Sequence, residues 1–199
     1  VTADPQPYLF YGLAWLVFGL FHSFLAGRRL KKFCGPYARF IYNIIATIQI
    51  IAVFAVGRWL FNDIPSFDRP DLLRWALTAG HLAAWALFLV ILRTYDLGLL
   101  AGTAQIRAAR TGKILSDEEA LHLDGYHRYV RHPLYAAAFL IFWTSVSSPY
   151  GLATAVWASL YLIVGATIEE RRLIHLHGDR YAAYRQKVPA FIPWRGRVI

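Results

Sequence analysis

Residues 125 to 135 read Gly-Tyr-His-Arg-Tyr-Val-Arg-His-Pro-Leu-Tyr, and two adjacent acids, Glu169 and Glu170, follow a long apolar stretch. Arg131 carries a permanently charged fork shaped for a carboxylate, and Arg128, three residues earlier, could reach the same anion. Pro133 suits the first position of a helix, because its missing N–H would have no partner there. His132 is then pushed toward extended geometry, and the open N–H groups of that first turn favour an anion. Two acids at the end of an apolar helix are costly unless solvated or paired. Neighbours on a helix diverge by about a hundred degrees, so one acid can face Arg131 while the other meets water, Arg172 or a substrate. Such a pair of clusters could grip a zwitterion, with Arg131 on its carboxylate and a glutamate on its ammonium. Any one of these arginines alone reads as a juxtamembrane anchor. The segment together with the acids reads as a site.

The elements between the clusters must bring them together. The sequence midpoint between Arg131 and Glu169 is residue 150, inside the turn Ser147-Ser148-Pro149-Tyr150-Gly151. Two antiparallel helices of equal rise on either side of it put both clusters at one end of a hairpin. The chain has 199 residues, 57% of them hydrophobic, with a mean hydropathy of +0.39. Its apolar runs approach the roughly 20 residues needed to cross a bilayer. We expect an all-α, polytopic membrane protein with about five spans, near 8–26, 38–60, 72–93, 133–147 and 151–168. The last two are short for full crossings. The first has no basic segment before it and is not expected to be a signal peptide.

The sequence predicts a single integral-membrane domain over 1–199, with a three-helix substrate-side half, 1–93, and a cofactor-binding half, 94–199. In the polar stretch 94–131, Ser116 followed by Glu119 is a capping box, which predicts a short helix from Asp117 to near Asp124. After the fifth span, 169–187 reads as a helix continuing out of the membrane, with Leu173, Tyr181 and Tyr184 at helix-compatible spacings. Pro189 and Pro193 end it.

Charge placement sets topology. The net charge is +9, and Arg28, Arg29, Lys31, Lys32 and Arg39 cluster between and at the edge of the first two spans. Residues 58–74 are balanced, whereas the tail after 168 has seven basic and three acidic residues. Basic excess in alternate segments places the 27–39 loop and the tail on the inner side of the cytoplasmic membrane, and the amino terminus and the 61–71 loop outside. The charge serves orientation and anionic membrane lipids, not nucleic acid. Cys34 is alone and can form no internal disulfide.

The segment 125–135, then Glu169-Glu170-x-x-Leu173, Tyr181-x-x-Tyr184 and Pro189, resembles the carboxyl-terminal signature of integral-membrane methyltransferases. That group includes the isoprenylcysteine carboxyl methyltransferases and phospholipid methyltransferases, which use S-adenosylmethionine. The resemblance covers 125–194. It implies a cofactor pocket of Tyr126, His127, Arg131, His132, Pro133 and Tyr135, closed by Glu169 and Glu170, in a helical bundle rather than a soluble dinucleotide fold. In the amino-terminal half, Phe21-His22-Ser23-x-Leu25-Ala26, the basic loop and Arg39-x-x-Tyr42-Asn43 resemble NnrU-type proteins and membrane methanethiol S-methyltransferases. Thr94-Tyr95-Asp96-Leu97-Gly98 is similar to a segment of the latter.

The expectation is methyl transfer from S-adenosylmethionine to a small or lipid-like acceptor, a thiol or a carboxylate. A neutral thiol would need a base, and Glu169, Glu170 and His22 are the candidates. The alternative is a haem-binding redox or isomerase protein of NnrU type, with His22 and His81 as axial ligands. His175 and His177 point apart on a helix, so no metal site is expected there. The charge pattern also makes a direct prediction. Reporter fusions at residue 65 and at the carboxyl terminus should report opposite sides of the membrane; the same side for both contradicts this topology.

Overall fold

The computed structural model of the protein describes residues 4–113, 115 and 121–195. Chain contacts divide it into two units, Val1–Pro65 with Tyr95–Glu119, and Ser66–Thr94 with Ala120–Ile199. Every regular element among the described residues is helical.

The first unit is built on α1 (Gln6–Leu25) and α3 (Ala38–Leu60), joined by the basic α2 (Arg28–Cys34) and a 3-10 turn, Gly35–Tyr37. Aromatic pairs fix α1 and α3 as antiparallel. Tyr8 and Tyr11 meet Phe61 edge-on with centroids at 5.0 and 5.9 Å, Trp15 meets Phe54 at 6.1 Å, and His22 meets Tyr42 at 4.9 Å. Such pairs contribute about 0.5–1.5 kcal/mol each beyond area burial, and Tyr11, Trp15 and Phe18 are buried.

Residues 94–113, read from sequence only as a polar connection, contain α5 (Leu97–Ala101) and α6 (Thr103–Arg110). The Asp96 carboxylate caps α5 by accepting the Leu99 N–H at 2.9 Å. The Leu100 carbonyl accepts from Asn43 Nδ2 at 2.8 Å and Arg39 Nε at 3.3 Å, which ties the connection to the start of α3. Gly102 makes that approach possible. Its φ is +86°, and a Cβ there would lie 2.5 Å from the Phe40 amide nitrogen.

The second unit contains α4 (Asp71–Leu92), α7 (Pro133–Thr144), α8 (Pro149–His177) and α9 (Asp179–Lys187). His81 on α4 meets Ile141 and Thr144 near the end of α7. Trp143 Nε1 donates to Ser159 Oγ on α8 at 3.1 Å, and the Tyr135 hydroxyl lies over Gly165. Both packings are therefore antiparallel, and small side chains at Ala153, Ala155, Ala158 and Ala166 are buried along α8.

Four described helical stretches are long and apolar enough to cross a membrane: Gln6–Leu25, Leu30–Leu60, Asp71–Leu92 and Pro149–His177. The expected span 133–147 is instead a 12-residue helix, about 18 Å long at 1.5 Å per residue, against a hydrocarbon core of about 30 Å. Past the cap at Ser145 the chain carries no helix until Pro149, and outside groups satisfy that backbone. The Phe67 N–H donates to the Ser147 carbonyl at 2.9 Å, and the Arg69 guanidinium donates to the Val146 carbonyl.

The continuous helix expected over 169–187 is also two helices. Gly178, at φ +52°, turns the chain between α8 and α9, a region that disfavours other L-residues. The helix expected from Asp117 begins outside the described residues, as does the capping pair Ser116 and Glu119. Of its expected course, Leu121–Leu123 carry no regular structure, and Gly125–Arg128 form a 3-10 turn.

Two glycines give a controlled comparison. Gly112 also has positive φ, at +70°, but a Cβ there would meet nothing within 4 Å. Left-handed backbone costs an L-residue roughly 1–2 kcal/mol. Gly112→Ala should lower the melting temperature in detergent slightly, and Gly102→Ala should lower it clearly more, because the Phe40 amide must also shift. Equal shifts would contradict the close approach of α3 and residue 102.

Candidate active site

The site is assembled from the start of α7, the end of α8, α9 and the strand-like segment after it, all within the second unit. Pro133 opens α7 and is buried, with His132 as the preceding cap. That cap is pinned by the tail: the Arg131 N–H donates to the Pro189 carbonyl at 2.9 Å, and the His132 N–H to the Ala190 carbonyl at 3.0 Å.

Glu170 is the centre of the arrangement. Its Oε1 accepts from Arg131 Nε at 2.7 Å, lies 2.7 Å from Arg131 Nη2, and is 3.0 Å from His132 Nε2. Its other oxygen lies 3.1 Å from Arg185 Nε on α9. The Glu170 and Arg131 side chains are 9% and 12% exposed. Two charges this buried require close geometry and further hydrogen bonds to offset lost hydration. Arg131 Nη1 supplies some of these by donating to the carbonyls of Arg185 and Val188. One guanidinium thus ties α7, α8 and α9 together.

Glu169 points elsewhere, as adjacent helix positions must. Its side chain is 48% exposed, and Oε2 lies 3.6 Å from His132 Nδ1. The His132 ring therefore stands between the two acids. It also stacks on Tyr135, with centroids at 5.4 Å and planes 15° apart, and lies 5.6 Å from Phe191. A half-exposed carboxylate beside an aromatic stack suits an organic cation by charge and by ring contact.

Below this, Tyr181, Tyr184 and Val188 form a buried cluster packed by Leu121, Leu123, Leu173 and Ile174. The Tyr184 hydroxyl donates to the His127 carbonyl at 2.8 Å, and His127 Nδ1 donates to the Arg131 carbonyl at 3.1 Å. Burial holds the His127 imidazole below its usual range, opposed by that hydrogen bond. Burial, and after it the negative charge of Glu170, pushes the Tyr181 hydroxyl up, so it stays neutral. Tyr126 lies part-buried in the 3-10 turn beside His127.

The structure thus brings together Arg131, His132, Pro133, Tyr135, Glu169 and Glu170, with His127 one hydrogen bond away. The sequence reading named Arg172 as a possible partner of the acid pair; the ion pair to Glu170 comes from Arg185. Arg185, the Val188 carbonyl and Phe191 were not singled out. The available signal was the Tyr181-x-x-Tyr184 spacing and Pro189, which place Arg185 one residue past the buried tyrosines. His22 belongs to the first unit, where its Nε2 is hydrogen-bonded to the Tyr42 hydroxyl. His81 uses both ring nitrogens: Nδ1 lies 3.1 Å from the Ile141 carbonyl and Nε2 accepts from Trp85 Nε1 at 3.1 Å. Among the described residues no group of three or more His, Cys, Asp or Glu could hold a metal ion.

The two acids should separate on substitution. Glu170→Gln leaves Arg131 buried without its counter-charge, a change that costs about 3–5 kcal/mol where burial is complete and less here, because Arg185 is half exposed. Its melting temperature in detergent should fall by several degrees, whereas Glu169→Gln should melt like the parent. Identical melting of the two variants would contradict a structural role for Glu170.

No family model matches the chain, and no solved structure matches it. Among curated proteins it is similar to methanethiol S-methyltransferase 1 of Bradyrhizobium diazoefficiens, 30% identical over 192 residues, covering 94% of this chain and 67% of that protein. It is similar to the methanethiol S-methyltransferase of Mycobacterium tuberculosis, 28% identical over 91% of this chain and 76% of that one. A shorter match, 35% identical over 83 residues, joins it to the protein-S-isoprenylcysteine O-methyltransferase of Schizosaccharomyces pombe, covering 38% of this chain and 34% of that protein. With its long apolar helices, the chain belongs to the family of membrane methyltransferases that these proteins represent, and it is an enzyme of methyl transfer.

Proposed function

We propose that the chain transfers a methyl group from S-adenosylmethionine to a small thiol, at the membrane end where Arg131, His132, Glu169 and Glu170 meet. The observation that carries this reading is the placement of a half-exposed carboxylate, Glu169, 3.6 Å from His132 Nδ1 and beside the His132–Tyr135 stack, next to the buried cluster of Glu170 with Arg131, His132 and Arg185. When bound, the cofactor supplies an electrophilic methyl group on a positively charged sulfur. The residues present fit such a molecule. Glu169 offers a carboxylate for an ammonium or sulfonium, and His132, Tyr135 and Phe191 offer ring faces.

Arg131 and Glu170 hold the start of α7 against the end of α8, so Glu169, His132 and Tyr135 keep fixed mutual positions. Such positioning is the main lever in an in-line displacement. A free thiol titrates near 8.5, by the value for cysteine, and the thiolate is the nucleophile. A base is therefore useful at neutral pH. Glu169, paired loosely with His132, is the candidate at this site. The small-thiol acceptor is supported by the relatives named methanethiol S-methyltransferase. By charge placement this end of the bundle faces the cytoplasm.

The test is methyl transfer from S-adenosylmethionine to a short alkyl thiol by the purified protein in detergent, followed by thioether formation. The parent should form thioether, and Glu169→Gln, which keeps its fold, should be slower by about ten- to a hundredfold. That range corresponds to losing one charge-assisted hydrogen bond of roughly 1.5–3 kcal/mol. Methylation of an isoprenylated cysteine carboxylate but not of thiols would overturn the acceptor assignment. Transfer by Glu169→Gln at the parent's rate would remove Glu169 from the site.

A further inference from the structure

At the opposite end of α7 from Arg131, a cleft of about 510 Å³ opens between the segment before α4, the first turns of α4 and the Ser145–Ser148 link. It lies wholly within the second unit. Its wall carries two guanidinium groups, Arg69 and Arg74, against one carboxylate, Asp68, with hydroxyls from Ser66, Thr78 and Thr144. Polar groups in a membrane bundle are costly unless they serve a cavity or a ligand. The non-helical backbone at 145–148 has the same requirement.

The two arginines differ in their ties. Arg69 is part-buried, donates to the Val146 carbonyl and lies over the Phe67 ring, 5.4 Å from its centroid. It has no carboxylate partner among the described residues. Arg74 pairs with Asp71, but the two side chains are 65% and 76% exposed, and exposed pairs of this kind hold weakly. Both can turn to an anion in the cleft. On the flank of the cleft-lining face, about a quarter-turn round the helix, α4 presents Trp75 and Leu82, which are 71% and 66% exposed. A tryptophan one turn inside an apolar helix end is characteristic of the membrane–water boundary.

We propose that this cleft binds the phosphate of an anionic phospholipid, with the acyl chains lying along the exposed face of α4. The two guanidiniums suit phosphate oxygens, the Ser66 hydroxyl on the cleft wall can donate to the same group, and exposed apolar side chains of α4 flank the cleft. The site rests on the membrane-spanning reading of α4 and α8 and is independent of the cofactor reading. By length, Pro149 to Glu169 on α8 covers about 30 Å, a bilayer core, so the lipid would come from the leaflet opposite the candidate active site.

The test is calorimetric titration of delipidated protein in detergent. The ligands are dihexanoyl phosphatidylglycerol below its micelle concentration, dihexanoyl phosphatidylcholine and inorganic phosphate. Phosphatidylglycerol should bind at least about tenfold more tightly than the other two, and Arg74→Gln should weaken it about tenfold, as expected for one charge-assisted contact. Arg69→Gln should weaken it further; since that change also releases the Val146 carbonyl and can disturb folding, Arg74→Gln carries the test. Equal binding of phosphatidylcholine, or no effect of Arg74→Gln, overturns the site. Inorganic phosphate binding as tightly as the lipid overturns the lipid as its source. Unchanged S-adenosylhomocysteine binding in Arg74→Gln keeps this result separate from the cofactor reading.

Discussion

A carboxylate taken out of water must be compensated in place, and Glu170 is the point where this chain meets that demand. Burying one ion costs several kcal/mol after relaxation, and the compensation comes from three residues on two elements. Arg131 precedes α7, His132 caps it, and Arg185 lies on α9. The α7–α8 hairpin, the break at Gly178 and the return of the tail to residues 131 and 132 all serve this one arrangement. The hydrogen bonds from the Arg131 and His132 amides to Pro189 and Ala190 lock it from the other side.

That constraint has a chemical consequence. Glu170 is buried in its ion pairs, whereas Glu169 is half exposed 3.6 Å from the His132 ring, which stacks on Tyr135. Membership of the membrane methyltransferase family gives this arrangement its setting, a chain with several apolar helices that carries out methyl transfer. The Arg69–Arg74 cleft at the far end of the same helices follows a related rule. Where backbone leaves helical geometry within a bundle, polar side chains gather to satisfy it, and the resulting pocket can hold an anion.

Much of this was legible in the sequence. The apolar runs located α1, α3 and α4 to within a residue or two, because a bilayer imposes length directly. The midpoint argument brought Arg131 to Glu170 from helix rise alone, although α7 is shorter than α8. The unequal lengths are absorbed by the non-helical residues on either side of α7. Three features were not legible. The end of α7 at Thr144 depends on Arg69 and Phe67, distant residues that satisfy the freed carbonyls. The engagement of Glu170 by Arg185 depends on the turn at Gly178, and a lone glycine in a helical pattern does not announce positive φ. The small helices α5 and α6 are held by contacts to Arg39, Asn43 and the backbone at Phe40, which local propensity does not record.

The central claim is that a zwitterionic cofactor binds where Glu169 faces the His132 and Tyr135 rings. Calorimetric titration with S-adenosylhomocysteine in detergent tests it most directly, since this demethylated product carries the same amino-acid end and needs no acceptor. The account predicts one saturable site in the parent, lost or strongly weakened in Glu169→Gln at unchanged melting temperature. Absence of binding by the parent, or equal affinity in the two proteins, would contradict it.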